Sequence, residues 1–154
     1  MAVLTVTIKE QVILNGTDRG TENVATIGSV SEVLNRIVTC PANVDTTVAT
    51  FRSSVDAADG ALDLDNVKYV RVTNLDSSNS VNLSLQISSA ENGTADASTS
   101  VLLEAGKSFM LGAVHDGIAT DDDAAAIVTA LNDLESILVD PGTNAVNIEV
   151  FIAC

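Results

Sequence analysis

Aromatic residues are nearly missing from this chain. Among 154 residues there is no Trp, one Tyr (Tyr69) and three Phe (Phe51, Phe109 and Phe151). A site that stacks sugar rings or bases on aromatic faces is hard to build from so few. The core must come from Val, Ile, Leu and Ala instead, and the β-branched members of that set suit the pleated, packed surface of a strand.

Positive charge is the second scarcity. Seven Lys and Arg stand against 21 Asp and Glu, for a net charge of −14. Proteins that hold nucleic acid replace phosphate counterions with clustered Lys and Arg, and anionic membrane surfaces recruit the same residues. Neither nucleic acid nor membrane is expected as a partner. The imbalance is also uneven. Residues 1–75 hold nine acids and six bases, whereas residues 76–154 hold twelve acids and one base, Lys107. Burying unpaired carboxylates is costly. Docking is therefore expected through the N-terminal segment and the loops before Asn66, with the 88–98 and 113–123 loops in solvent.

Long apolar runs are absent too. No window approaches the roughly 20 residues of a membrane-spanning helix, and the opening Met1-Ala-Val-Leu-Thr-Val-Thr-Ile lacks the basic start and long apolar stretch of a signal peptide. The expectation is a soluble chain made in a cytoplasm. Two cysteines, Cys40 and Cys154, stand far apart and outside any CxxC pair, so thiols are expected in place of a zinc site. Phosphate-cradling GxGxxG and GxxxxGKS loops are missing.

What the chain does have is alternation. From Tyr69 to Leu111 apolar and polar residues alternate in four stretches, 67–74, 81–87, 99–104 and 107–112, the period of half-buried antiparallel strands. Leu75-Asp-Ser-Ser-Asn-Ser80 joins the first two, and Ala105-Gly106 makes a tight turn between the last two. Further strands are expected over 3–8, 33–39, 46–52, 136–139 and 145–153. Val30, Val33, Leu34, Ile37 and Val38 also fit a helical face, but Ile37-Val38-Thr39 lead into Pro41 and favour a strand. Asn15-Gly16-Thr17-Asp18-Arg19-Gly20 and Asp140-Pro141-Gly142-Thr143-Asn144 read as turns. A short helix is expected near 122–134: Ile127, Ala130, Leu131 and Leu134 share one face, and Asp121, Asp122 and Asp123 would sit at its positive end. Turns every eight to twelve residues suit an all-β, antiparallel β-sandwich or jelly roll, as one domain over 1–154. Its core is expected to include Val70, Val72, Val81, Leu83, Leu85, Ile87, Leu103, Phe109, Leu111, Ile148, Val150 and Ile152.

Reactive constellations are sparse. His115 is the sole histidine; Asp116 adjoins it, but no Gly-x-Ser-x-Gly elbow accompanies it, so it reads as a solvated loop residue. Asp56, Asp59, Asp63 and Asp65 share one loop and could supply oxygens to calcium, yet they lack the EF-hand spacing and its terminal Glu. No catalytic residue, cofactor or metal is expected, and no enzymatic activity.

Arg36-Ile-Val-Thr-Cys-Pro41, Lys68-Tyr-Val-Arg-Val-Thr-Asn-Leu-Asp76, Glu104-Ala-Gly-Lys-Ser-Phe-Met-Leu111, Asp133-Leu-Glu-Ser-Ile137 and Val146-Asn-Ile-Glu-Val-Phe-Ile-Ala153 follow one another across residues 33–153. In this order they resemble small virion structural proteins of tailed, marine podovirus-like bacteriophages. The resemblance implies a capsid decoration (cement) protein on the capsid exterior. Its partners would be the major capsid protein and copies of itself, as a homotrimer. The alternative within the same resemblance is a tail- or fibre-associated structural or receptor-binding module. The acidic insertion at Asp121–Asp123 departs from the pattern, and the resemblance carries over no active-site residue.

Overall fold

The computed structural model describes residues 1–88, 97–120 and 127–154. They form two compact units, Met1–Glu32 and Val33–Cys154. The sandwich belongs to the second.

The first unit is a two-stranded ribbon. β1 (Ala2–Lys9) pairs antiparallel with β4 (Glu22–Val30), with Leu4 opposite Ile27 and Lys9 opposite Glu22. The stretch 22–29 carries little sequence pattern, and β4 is recruited there by its partner strand. Between them β2 (Ile13–Leu14) and β3 (Thr17–Asp18) make a small hairpin. Its corner is Asn15-Gly16, both at positive φ (52° and 76°), the geometry of the tight turns that follow the strand twist. The tip is tied back by Arg19 N–H to Val12 C=O at 2.8 Å and Glu10 N–H to Thr21 C=O at 2.9 Å. Gly20 is required at this crossing, because any Cβ there would collide with the Glu10 carbonyl.

The second unit is a sandwich of two sheets. β5 (Val33–Cys40), β8 (Tyr69–Asn74), β11 (Ser108–Leu111) and β13 (Val146–Ala153) form one, in the order β11-β8-β13-β5. β6 (Thr46–Arg52), β7 (Leu62–Asp63), β9 (Val81–Ser88), β10 (Ala97–Leu103) and β12 (Asp133–Asp140) form the other, in the order β10-β9-β12-β6-β7. All pairings are antiparallel except the two-residue β6–β7 bridge. The inner faces alternate as the sequence does. Val70, Val72, Ile148, Val150 and Ile152 of one sheet and Val48, Phe51, Leu83, Leu85, Ile137 and Val139 of the other are buried in one apolar cluster. Of the expected core, Val81, Ile87 and Leu103 are buried as well, while Phe109 and Leu111 are partly exposed and pack at its margin. Phe51 is completely buried.

Two expectations are corrected. The turn-linked strands β8 and β9 do not pair with each other, and neither do β10 and β11. Each turn steps from one sheet to the other, and β8 pairs with β11 and β13 while β9 pairs with β10 and β12. The arch at Leu75–Ser80 is held by Asn74, fully buried, whose Nδ2 donates to the carbonyls of Asn79 (2.8 Å) and Leu103 (3.1 Å). The second correction is the helix near 122–134. Residues 127–130 are not helical, Asn132 makes an isolated bridge with Ile118, and Asp133 begins β12, which pairs on both sides. The start of the expected helix, including Asp121, Asp122 and Asp123, lies outside the described residues. Of the residues that made the apolar face, Ile127, Ala130 and Leu131 are exposed and only Leu134 is buried, as the second residue of β12.

Candidate functional site

The loop between β11 and β12 carries the densest chemistry among the described residues. Val114 anchors it, fully buried in the core. Its carbonyl accepts from Leu134 N–H at 2.8 Å, and two further backbone bonds, Gly117 N–H to Asn132 C=O (3.0 Å) and Asn132 N–H to Ile118 C=O (2.8 Å), pin the loop to the start of β12. Only glycine suits position 117, since a Cβ would lie 2.5 Å from the Ala113 carbonyl oxygen.

This anchoring brings His115 onto three carboxylates from three parts of the chain. Nδ1 lies 3.0 Å from Asp133 Oδ1 and 3.4 Å from Asp65 Oδ1, and Nε2 lies 3.6 Å from Asp116 Oδ2. Asp133 is buried, whereas His115 is 42% exposed. The same Asp133 oxygen accepts the Asp116 N–H at 2.8 Å, which fixes it toward the ring. Desolvation pulls the imidazole pKa down, but the charges of Asp133, Asp116 and Asp65 and the Asp133 hydrogen bond outweigh it and hold the group above its ordinary value.

His115 is thus no simple solvated residue, and Asp133 and Asp65 are partners that sequence spacing could not connect to it. Both ring nitrogens face carboxylates. A Ser-His-Asp relay needs one of them to face a hydroxyl, so the arrangement suits holding a proton or a cation better than activating a nucleophile. The acidic loop does not converge as a unit. Asp63 accepts from Asp65 N–H (3.1 Å) and Asn66 Nδ2 (2.8 Å) and so caps the short 3₁₀ turn Leu64–Asn66. Asp56 lies exposed in the 3₁₀ turn Val55–Ala57. Among the described residues neither joins Asp59 in a metal-spaced group.

Two surfaces complete the inventory. A polar groove of about 240 Å³ opens on the five-stranded sheet, lined by Asp45, Asn82, Ser84, Gln86, Ser100 and Asp140 beside Leu138. On the ribbon, Val3, Val12, Ile13, Leu14 and Val24 are each more than half exposed. Cys40 and Cys154 are buried with no disulfide between them, and burial pushes the Cys40 thiol up. No helix among the described residues is long and apolar enough to cross a membrane.

No family model matches the chain, and no curated protein matches it. Among solved structures, a protein from work titled "Bacillus endospore appendages form a novel family of disulfide-linked pili" overlays with a TM-score of 0.39 and 10% identity, covering 82% of this chain and 88% of that one. So distant a likeness assigns no function, and the chain's own geometry has to carry the functional argument.

Proposed function

We propose that this protein is a non-enzymatic structural subunit that docks on a larger assembly through its N-terminal ribbon. The observation that supports this is the ribbon's exposed apolar surface. A two-stranded ribbon is marginal in water by itself, and this one leaves Ile13 70%, Val3 62% and Val24 59% exposed. Its charge favours it as the docking part. Residues 1–32 carry four acids and two bases, a net of −2 within a chain of −14. Covering apolar area stabilises association by about 25 cal/mol per Å² before the costs of ordering are subtracted, and few carboxylates need be desolvated there.

The specific form of the proposal is a capsid decoration protein of a tailed bacteriophage, with the major capsid protein covering the ribbon and further copies of this chain beside it. It draws on the sequence resemblance. The sandwich then supplies most of the acidic charge. The test uses phage particles and the full-length chain. Ile13→Asp with Leu14→Asp places two charges on the ribbon tip, where both side chains are exposed. Loss of the double variant from sedimented particles, with the sandwich still folded by circular dichroism, is the expected result. Retention equal to the unaltered chain refutes docking through the ribbon. Electron microscopy of the labelled chain then distinguishes head from tail, and label at a tail tip replaces the capsid proposal with the fibre-associated one.

A further inference from the structure

We infer that His115 is a proton-operated clasp, which holds the Leu64–Asn66 turn against the 114–118 loop and the start of β12 while its ring is protonated and releases that turn when the proton leaves. Three separate parts of the chain meet at the ring. Nδ1 faces Asp133 Oδ1 at 3.0 Å and Asp65 Oδ1 at 3.4 Å, and Nε2 faces Asp116 Oδ2 at 3.6 Å. A protonated imidazole carries an N–H on each nitrogen and so meets carboxylates on both sides. The neutral ring has one N–H, and its other nitrogen turns a lone pair on an acceptor.

Loss of the proton takes the only cation out of this group. The three carboxylates and the charged ring sum to −2; the carboxylates with a neutral ring sum to −3. The charged groups nearest in sequence are engaged elsewhere. Lys68 gives its ammonium to the Asn66 carbonyl at 3.1 Å, Asp63 spends its oxygens on Asp65 N–H and Asn66 Nδ2, and Glu135, two residues along β12 from Asp133, is paired with Arg52.

Burial decides which contact yields. Asp133 is 8% exposed, and its Oδ1 also accepts the Asp116 N–H, so it stays. Asp65 is 62% exposed and can turn into water. The backbone around it is lightly tied: β7 meets β6 over two residues, and Val67 N–H reaches the Leu64 carbonyl at 3.3 Å. Leu62 and Leu64 are buried, so the opening is local to residues 65–67.

The direction with pH follows. Desolvation lowers the ring's pKa, but the charges of Asp133, Asp116 and Asp65 outweigh it and raise the value above 6.5. A cation whose pKa is raised in the closed form supports that form fully below its ordinary value, and the support is lost as pH rises through the raised one. The clasp is therefore closed in mild acid and opens between 6.5 and the raised value.

His115 is the chain's only histidine, which makes the experiment direct. In isotope-labelled, full-length protein the imidazole C–H resonances and the exchange of the Asp65 and Val67 amides are followed by NMR as pH is raised. The ring should titrate with a midpoint above 6.5. Protection of the two amides, relative to unstructured rates, should fall with the same midpoint, by about tenfold for each unit that the midpoint exceeds the ordinary value. His115→Gln should make Val67 protection independent of pH, and Asp65→Asn should lower the ring's midpoint. A wild-type ring that titrates at or below 6.5 overturns the inference, as does protection at Asp65 and Val67 that stays constant across the ring's titration. An unmoved midpoint in Asp65→Asn removes the turn from the clasp and overturns it equally.

Discussion

Replacing Glu135 with leucine leaves Arg52 inside the five-stranded sheet with its counter-ion removed. Arg52 Nη1 lies 2.6 Å from Glu135 Oε2, and their side chains are 19% and 4% exposed. The same nitrogen donates to the carbonyls of Phe51 (2.6 Å) and Glu135 (2.9 Å). Breaking a buried pair by removing one partner costs about 3–5 kcal/mol, because the remaining charge stays desolvated. Arg52 keeps some water and two carbonyl acceptors, so Glu135→Leu should sit at the low end, about 3 kcal/mol. For a domain of this length that lowers Tm by roughly 6–12 °C. The companion Arg52→Met/Glu135→Leu removes both charges and should recover much of the loss, since apolar replacement of a whole pair is often neutral or better. Urea unfolding of the four proteins of this cycle gives each difference at constant m. A single-variant cost under about 1 kcal/mol, or a double variant whose loss equals the sum of the singles, would show that the two groups are not coupled as their distance implies.

Phe51→Ala should cost about 3–5 kcal/mol, as a completely buried aromatic. Phe109→Ala, at the core margin, should cost roughly half as much on the same scale; urea midpoints that reverse this order contradict the packing. Asp76 accepts the N–H groups of Ser78 (2.8 Å) and Asn79 (2.7 Å), and these bonds lower its pKa from 3.8. A carboxylate depressed on folding contributes stability that is present above its unfolded pKa and lost as pH falls through the folded one. Its carboxyl carbon should therefore titrate below 3.8 by NMR, and a midpoint at or above that value excludes the turn as drawn. Self-association should be unchanged by a calcium-selective chelator, checked by sedimentation; dissociation that added calcium reverses would place an all-oxygen site in the acidic loops.

Alternation made the sandwich strands legible because each strand of the second unit has one face inside. Leu83, Leu85 and Ile87, or Ile148, Val150 and Ile152, can be assigned to the core by counting in twos. Pairing was not legible in the same way. The Gly106 turn and the Asp76 turn announce a reversal of the chain, but whether a reversal closes a hairpin or arches to the opposite sheet depends on partners far away in sequence. The arches are chosen by β11 and β13 beside β8 and by β10 and β12 beside β9. β12 was legible only over 136–139, because Leu134 had been counted with Ile127, Ala130 and Leu131 on one helical face. The His115 cluster lay beyond sequence: Asp65, His115 and Asp133 are separated by 50 and 18 positions, and His115 meets Asp133 through the pinning of the 114–118 loop to β12, while Asp65 comes from the turn after β7.

The acidic charge and the sheet edges bear on the same problem. Each sheet has one edge kept short, β7 with two residues and β11 with four, and one long edge among the described residues, β10 with seven and β5 with eight. A long open edge invites another strand to pair with it. β5 adds apolar side chains to that invitation, with Val33 50% and Ile37 63% exposed. Neither a proline nor an inward lysine blocks it, since Pro41 comes only after the strand ends. Charge is the remaining safeguard. Residues 33–154 carry 17 acids against five bases, so two sandwiches approaching edge to edge repel each other, most strongly at low ionic strength. The ribbon, with four acids and two bases, lacks that protection. Charge thereby discourages contact between sandwiches more than contact through the ribbon.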